Sequence, residues 1–206
     1  MTNWYLNLNE LTKLSLVSVK YISSLKPHND KQWKLTNKSM KLYKKELLEC
    51  MLTNQNHRCA YCGLSLRMNL VDREHFASKA KYKRFTFEPL NLIASCAYCN
   101  RILKRTKDII LLPAKAGYQD NTFKILHPYL DDIDQYFTFE DYAGDGYPIA
   151  IRLINDQDVR AVNTIKMFEL ASAELAIKRA GFIKEEEVRE KMENDPFIGK
   201  ILSYKL

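Results

Sequence analysis

Four of the five cysteines occur in two pairs that share one spacing. Cys59-Ala60-Tyr61-Cys62 and Cys96-Ala97-Tyr98-Cys99 each place two thiols on a tight turn. Two such turns supply four sulfur ligands, which suit tetrahedral zinc and leave no open position for a substrate. The sequence therefore predicts a structural zinc held by Cys59, Cys62, Cys96 and Cys99. The alternative, two redox-active motifs, would not explain the duplication. The fifth cysteine, Cys50, is expected to be a free core thiol.

Polar residues suited to phosphate chemistry lie between and just after the cysteine pairs. Glu74 and His75 end a strand-like run, Asn91 follows a proline and a leucine, and Asn100 comes directly after the second pair. Each alone has an ordinary structural explanation, such as a structural histidine, a turn or a helix cap. Their joint order, cysteine pair, acid and histidine, asparagine, cysteine pair, amide, favours a single site.

This order resembles the HNH endonuclease superfamily. The resemblance implies a ββα-metal core, in which a strand, a loop, a second strand and a helix enclose one divalent cation. By position it implies that His75 is the general base, Asn91 the central asparagine and Asn100 the last letter of the motif. Glu74 and Asn100 would bind the catalytic Mg²⁺ or Mn²⁺. The sequence departs from the family at Glu74, where Asp is commoner, and at Asn100, where His is commoner.

Phosphodiester hydrolysis needs these residue types together. A neutral imidazole can take a proton from water at physiological pH, which is the role expected of His75. Carboxylate and amide oxygens suit a hard cation, which neutralises charge on the phosphate and the leaving oxygen. Asn91 is expected to fix the imidazole and its loop.

Charge is unevenly divided along the chain. Residues 1–115 carry 21 Lys and Arg against 8 Asp and Glu, whereas residues 116–206 carry 11 against 17. A basic segment attracts polyanions, so nucleic acid, with DNA favoured over RNA, is the expected partner, although a solubilising surface is the alternative. Four basic side chains are expected to contact its phosphates: Lys79, Lys81, Arg101 and Lys104.

Outer motifs extend the resemblance to the HNH proteins of Septu-type and retron-linked phage defence. They are Arg73-Glu74-His75-Phe76, His127-Pro128-Tyr129-Leu130-Asp131-Asp132 and Asn163-Thr164-Ile165-Lys166-Met167-Phe168-Glu169-Leu170, with Arg179 beyond. In that group the nuclease works beside an ATPase, so the resemblance implies an antiviral effector with an ATPase partner. The alternative is a zinc-knuckle nucleic-acid-binding or regulatory subunit without turnover. His127 is expected to be structural.

The elements that must position these residues indicate an α+β fold. Helical patterns cover 9–25, 36–53, 157–180 with Gly181 as a stop, and 184–194, and a basic helix is expected to begin at Asn100. A hairpin, with Phe123 and Ile125 among its flanking apolar residues, is expected around Gly144-Asp145-Gly146. These divide the chain into an N-terminal helical region (1–53), a nuclease core (54–115) and a C-terminal accessory region of hairpin plus helix (116–206), within one compact unit. No apolar run approaches the ~18 residues of a membrane span, and the start lacks signal-peptide features, so a cytoplasmic protein is expected.

Overall fold

Helices and two small sheets alternate along the chain in the computed structural model, which describes residues 4–67, 69–141, 144, 146 and 148–195. The α-helices are α1 (Leu16–Ser24), α2 (Lys38–Asn54), α3 (Val159–Phe168) and α4 (Ala173–Asn194). The strands are β1 (Val71–His75), β2 (Leu92–Cys96), β3 (Phe137–Asp141) and β4 (Pro148–Leu153). This mixture of helix and strand confirms the predicted α+β class.

The antiparallel pair of β1 and β2 positions most of the candidate site residues. Val71 lies opposite Cys96, and His75 lies opposite Leu92. Residues 76–91 connect the two strands. After β2 the chain enters a π-helical segment, Tyr98–Lys104, which begins two residues before the basic helix expected at Asn100. The order is therefore strand, loop, strand and helical segment, with one cysteine pair before β1 and the other at the junction of β2 and the helical segment.

The first predicted helix is shorter than its apolar pattern suggested. α1 begins at Leu16, because the Ser15 side chain caps it by accepting a hydrogen bond from the Ser18 amide at 3.2 Å. The chain before it has no regular secondary structure from residue 6 to residue 15, and the Leu8 amide donates to the Pro128 carbonyl at 2.7 Å. The prediction of a helix from residue 9 was wrong, whereas α2 begins and ends close to the predicted bounds.

The long helix predicted over 157–180 is two helices. α3 ends where Glu169 adopts a left-handed conformation with φ of 53°, and Ser172 caps α4 by accepting from the Leu175 amide. α4 then continues through Gly181, so the predicted stop there was wrong. A glycine inside a helix costs only about 1 kcal/mol relative to alanine, which a long helix tolerates. The charged helix predicted over 184–194 is the second half of α4.

The predicted C-terminal hairpin is present as β3 and β4. Phe137 lies opposite Leu153, and Phe139 lies opposite Ile151. Asp145, which the turn prediction included, lies outside the described residues. Phe123 is not part of this hairpin, because it forms an isolated bridge with Ile110 instead.

One hydrophobic core draws side chains from all three predicted regions. Tyr5, Leu47, Phe76, Leu126 and Phe168 are each almost fully buried in it. Within the part of the chain that the structure describes, no helix combines the length and apolarity needed to cross a membrane.

Candidate functional site

The four paired cysteines converge on one point. Their sulfur atoms all lie within 4.8 Å of one another, and the sulfurs of Cys62 and Cys96 are 4.0 Å apart. Zn–S bonds of about 2.3 Å in a tetrahedron place sulfurs roughly 3.8 Å apart, so the observed spacing fits a four-thiolate metal centre. The predicted cluster is confirmed, and it could hold a zinc ion. Cys50 lies apart from it, half-buried, with its sulfur 3.0 Å from the Lys13 carbonyl oxygen.

Backbone geometry shapes both cysteine turns. Gly63 closes the first turn with φ of +74°, and a Cβ there would lie 2.4 Å from the Trp4 carbonyl oxygen, so the position requires glycine. In the second turn the Cys96 and Cys99 amides point at the sulfurs of Cys59 and Cys96, each at 3.4 Å. Amides aimed at sulfur favour the thiolate form that a metal needs.

The cysteine cluster cannot hold four thiolates without a cation. Hydrogen bonds with the neighbouring Cys59 and Cys96 sulfurs, together with burial, raise the pKa of the Cys62 thiol well above its usual range. A bound metal must therefore displace protons from the cluster, and its binding energy becomes part of the folding energy.

His75 is held in one tautomer at the end of β1. Its side chain is 3% exposed, and Nε2 lies 3.0 Å from the Thr86 carbonyl oxygen. Since a carbonyl only accepts, Nε2 carries the proton and Nδ1 keeps a free lone pair in the neutral ring. The Trp33 indole contacts the imidazole in a T-shaped arrangement, with ring centroids 4.4 Å apart. Burial, followed by the charge of Lys79, lowers the pKa of His75 to about 3.

Asn91 ties together the loop that carries Thr86. Its Oδ1 accepts from the Ala77 amide at 2.6 Å, and its Nδ2 donates to the Ala77 and Phe85 carbonyls at 3.0 and 2.9 Å. The side chain is fully buried. Asn91 therefore fixes the carbonyl that orients His75, and it acts on the imidazole through the loop.

The buried side chains of His127 and Tyr118 form a hydrogen-bonded chain that ends at Asn91. His127 Nδ1 accepts from the Tyr129 amide at 3.1 Å, so its Nε2–H donates to the Tyr118 hydroxyl at 2.9 Å. That hydroxyl donates to Asn91 Oδ1 at 3.0 Å. Burial lowers the pKa of His127 to about 3. No sequence pattern had pointed to Tyr118, because only the fold brings it to Asn91.

The lowered pKa values of His75 and His127 predict how the stability of the protein depends on pH. Each is neutral when folded down to about pH 3, but in the unfolded chain each takes up a proton near pH ~6.5. The unfolded state therefore binds more protons below pH ~6.5, and stability is lost as the pH falls. Between about pH 4 and 6 the two contribute a slope approaching ~2.7 kcal/mol per pH unit. Urea unfolding across this range should show the slope, and His127→Gln should remove about half of it. An unchanged slope in that variant would contradict the assignment.

Glu74 is paired with a buried lysine. Lys104 Nζ lies 2.5 Å from Glu74 Oε1 and 3.1 Å from the His75 carbonyl oxygen. Glu74 is 6% exposed and Lys104 is 1% exposed. Burial raises the pKa of Glu74, and the charge of Lys104 partly offsets this. Lys104, which the sequence predicted at phosphates, therefore lies inside the protein, on the carboxylate predicted to bind the cation.

Asn100 and Arg101 contact a different carboxylate. Asn100 Nδ2 donates to Asp72 Oδ2 at 3.0 Å, and Arg101 binds both oxygens of Asp72. Asp72 and Glu74 share one face of β1, whereas His75 leaves the other face. Among the described residues, no hydrogen bond joins Asn100 to Glu74 or His75. Sequence reasoning missed Asp72, although its position two residues before Glu74 was an available signal.

A group of cations surrounds Trp33 beside His75. The ammonium groups of Lys44 and Lys79 lie 5.5 and 5.9 Å from the indole centroid, and Arg73 Nε donates to the Lys44 carbonyl at 2.6 Å. We call Trp33, Lys44, Arg73 and Lys79 the Trp33 patch. Lys79 was predicted to contact phosphates and lies in this patch. Lys81 lies outside it, paired with Asp108.

Comparison with known proteins assigns no family to this arrangement. No family model matches the chain, and no curated protein is similar enough to be matched to it.

Proposed function

We propose that the chain is a metal-dependent endonuclease of the HNH class, which hydrolyses phosphodiester bonds of nucleic acid. The observation that supports this most is the neutral His75 at the end of β1, held by Thr86 with Nδ1 unprotonated. Both lie on β1 and the loop that follows it, between the two cysteine pairs. Zinc in the cysteine cluster would be structural, because all four ligand positions are taken by sulfur.

His75 would act as the general base. Water loses a proton to Nδ1, the resulting hydroxide attacks phosphorus, and the bond to the leaving oxygen breaks. The Thr86 carbonyl then stabilises the imidazolium through Nε2–H, as an acceptor fixed before the reaction. A phosphate beside the ring would raise the pKa of His75, since a negative charge favours the protonated form.

The oxygens of Glu74 and Asn100 have the chemistry for Mg²⁺ or Mn²⁺. Such an ion would neutralise charge on the phosphate and the leaving oxygen. Lys104 holds Oε1 of Glu74, so the ion would compete with the ammonium for this carboxylate. The same ion pair favours the second candidate function, a nucleic-acid-binding or regulatory subunit without turnover, in which Lys104 keeps Glu74 permanently.

The Trp33 patch is the proposed phosphate contact. Lys44, Arg73 and Lys79 bring three cations beside His75 from α2, β1 and the loop after it. Cations without fixed bidentate geometry supply salt-dependent affinity rather than base recognition. The outer motifs further support an anti-phage role with an ATPase partner, which we propose on that resemblance.

The test is cleavage by purified protein whose zinc content has been measured. Plasmid DNA and RNA are each incubated with Mg²⁺, with Mn²⁺ and without added divalent ion, and binding is measured in parallel at several salt concentrations. We expect cleavage that requires Mg²⁺ or Mn²⁺ and binding that weakens with salt. Binding without cleavage in every condition, including with the co-expressed ATPase, would favour the non-catalytic subunit.

A further inference from the structure

Arg179 of α4 is a buried cation whose burial the proposed nuclease does not explain. Its side chain is fully buried, and Nη1 donates to the Ile149 and Leu170 carbonyls at 3.0 and 2.9 Å. Nε and Nη2 are buried without a hydrogen-bond partner. No carboxylate of the described residues lies within ion-pair distance of it. A guanidinium remains charged in proteins, so this burial is costly unless an anion lies nearby.

The guanidinium of Arg58 lies close to that of Arg179, which increases the electrostatic cost of burying Arg179. Arg58 and Arg179 both lie over the Trp4 ring, at 5.0 and 5.4 Å from its centroid. Arg58 Nε also donates to the Gly63 carbonyl at 2.7 Å, so its guanidinium lies against the first cysteine turn. Two neighbouring cations repel each other in a poorly solvated interior. The charge of Glu186 stabilises Arg58, so Arg179, with two nitrogens lacking a hydrogen-bond partner, is the cation that still needs a negative charge nearby.

The cysteine cluster supplies that charge when it holds metal. Four thiolates around one Zn²⁺ leave a net double negative charge, which also needs compensation when it is buried. Burial lowers the pKa of Arg179 to about 10, and the attraction of Cys62 opposes this effect while Arg58 adds to it. Helix α4 lies beside the cluster, since its Leu175 lines the same cavity as Cys62, Cys96 and Cys99.

We infer that Arg179, assisted by Arg58, is the counter-ion of a doubly negative zinc–thiolate centre, and that it couples α4 to the metal site. The guanidinium is not a ligand. It stabilises the fully deprotonated cluster through space, and so it raises the affinity for zinc. This inference depends on the cysteine cluster alone and holds whether or not the protein cleaves nucleic acid.

The test separates the effect of the positive charge at position 179 from the effect of the shape of its side chain. Arg179→Met removes the charge and keeps an unbranched side chain, whereas Arg179→Lys keeps the charge and loses the planar group. Zinc affinity is measured by competition with a chelator of known affinity. We expect Arg179→Met to bind zinc about 10- to 100-fold more weakly, as for other residues that support metal ligands. Arg179→Lys should lose less than this 10-fold minimum, because the positive charge is kept.

A matched control removes an exposed ammonium from the same helix. Lys184→Met should leave zinc affinity unchanged, because solvent screens that charge. Equal losses in the Met and Lys variants of Arg179, or an unchanged affinity in Arg179→Met, would overturn the inference. If Arg179→Met does not fold, Arg58→Met and Arg58→Lys are compared in the same assay. A larger loss with Met supports the counter-ion role, and equal affinities reject it.

Discussion

Cys96→Ser is expected to remove zinc and to unfold the region that the cysteine cluster joins. Structural zinc contributes about 10–16 kcal/mol in small domains, as much as or more than the ~5–15 kcal/mol that separates most folded proteins from the unfolded state. Cys59→Ser should have the same effect, because each sulfur completes one coordination shell. Metal analysis and thermal unfolding followed by circular dichroism measure both consequences.

Loss of the cysteine cluster should destabilise the rest of the fold because its turns are joined to the core. The Ala60 amide donates to the Ala94 carbonyl at 3.1 Å, which joins the first cysteine turn to β2. Tyr61 of the same turn stacks on Phe168 of α3, with ring centroids 4.0 Å apart. Cys50→Ser is the matched control, since this cysteine lies outside the cluster, and it should retain both zinc and the melting temperature. A folded, zinc-free Cys96→Ser with unchanged melting would contradict the structural role of the metal.

Breaking the Glu74–Lys104 pair on one side is expected to cost about 3–5 kcal/mol of unfolding free energy. Either Glu74→Gln or Lys104→Met leaves the other charge buried without its partner. The double variant should be more stable than either single variant, because no unpaired charge remains. Urea unfolding of the four proteins gives the coupling energy directly.

The partly exposed pair of Lys81 and Asp108 is the control for the buried pair. Adding a divalent ion then tests whether Glu74 is a cation ligand. Lys81→Met breaks the partly exposed pair with Asp108 and should cost less than about 1 kcal/mol. Because Lys104→Met leaves Glu74 free, Mg²⁺ or Mn²⁺ should restore part of its stability but should not restore that of Glu74→Gln. A loss in Lys104→Met as small as that in Lys81→Met would mean that the buried pair contributes little. Equal responses of Lys104→Met and Glu74→Gln to the ion would mean that Glu74 is not a cation ligand.

Local sequence patterns predicted the parts of the fold that depend on local chemistry. The two cysteine turns were recognisable because a metal site needs a fixed ligand spacing, and α2 was recognisable from its apolar period. Errors arose where one interaction overrode the pattern. The cap at Ser15 shortened α1, and the left-handed Glu169 with the Ser172 cap divided the last helical stretch.

The surroundings of the candidate site could not be predicted in the same way. Trp33 contacts His75 from 42 positions earlier in the chain, and Tyr118 reaches Asn91 from 27 positions later. The basic pattern after the second cysteine pair indicated exposed phosphate contacts, yet Lys104 points inward to a carboxylate. Charge patterns do not reveal which lysine is buried, because that depends on which face of the helical segment meets β1.

The central claim is that His75 is the base of phosphodiester hydrolysis, and single-turnover cleavage by His75→Gln tests it most directly. Gln can still donate to the Thr86 carbonyl but cannot take a proton from water. At saturating protein, with zinc content and nucleic-acid affinity equal to those of the wild type, we expect the cleavage rate to fall by about 10²- to 10⁴-fold. Cleavage by His75→Gln at the wild-type rate would contradict the claim.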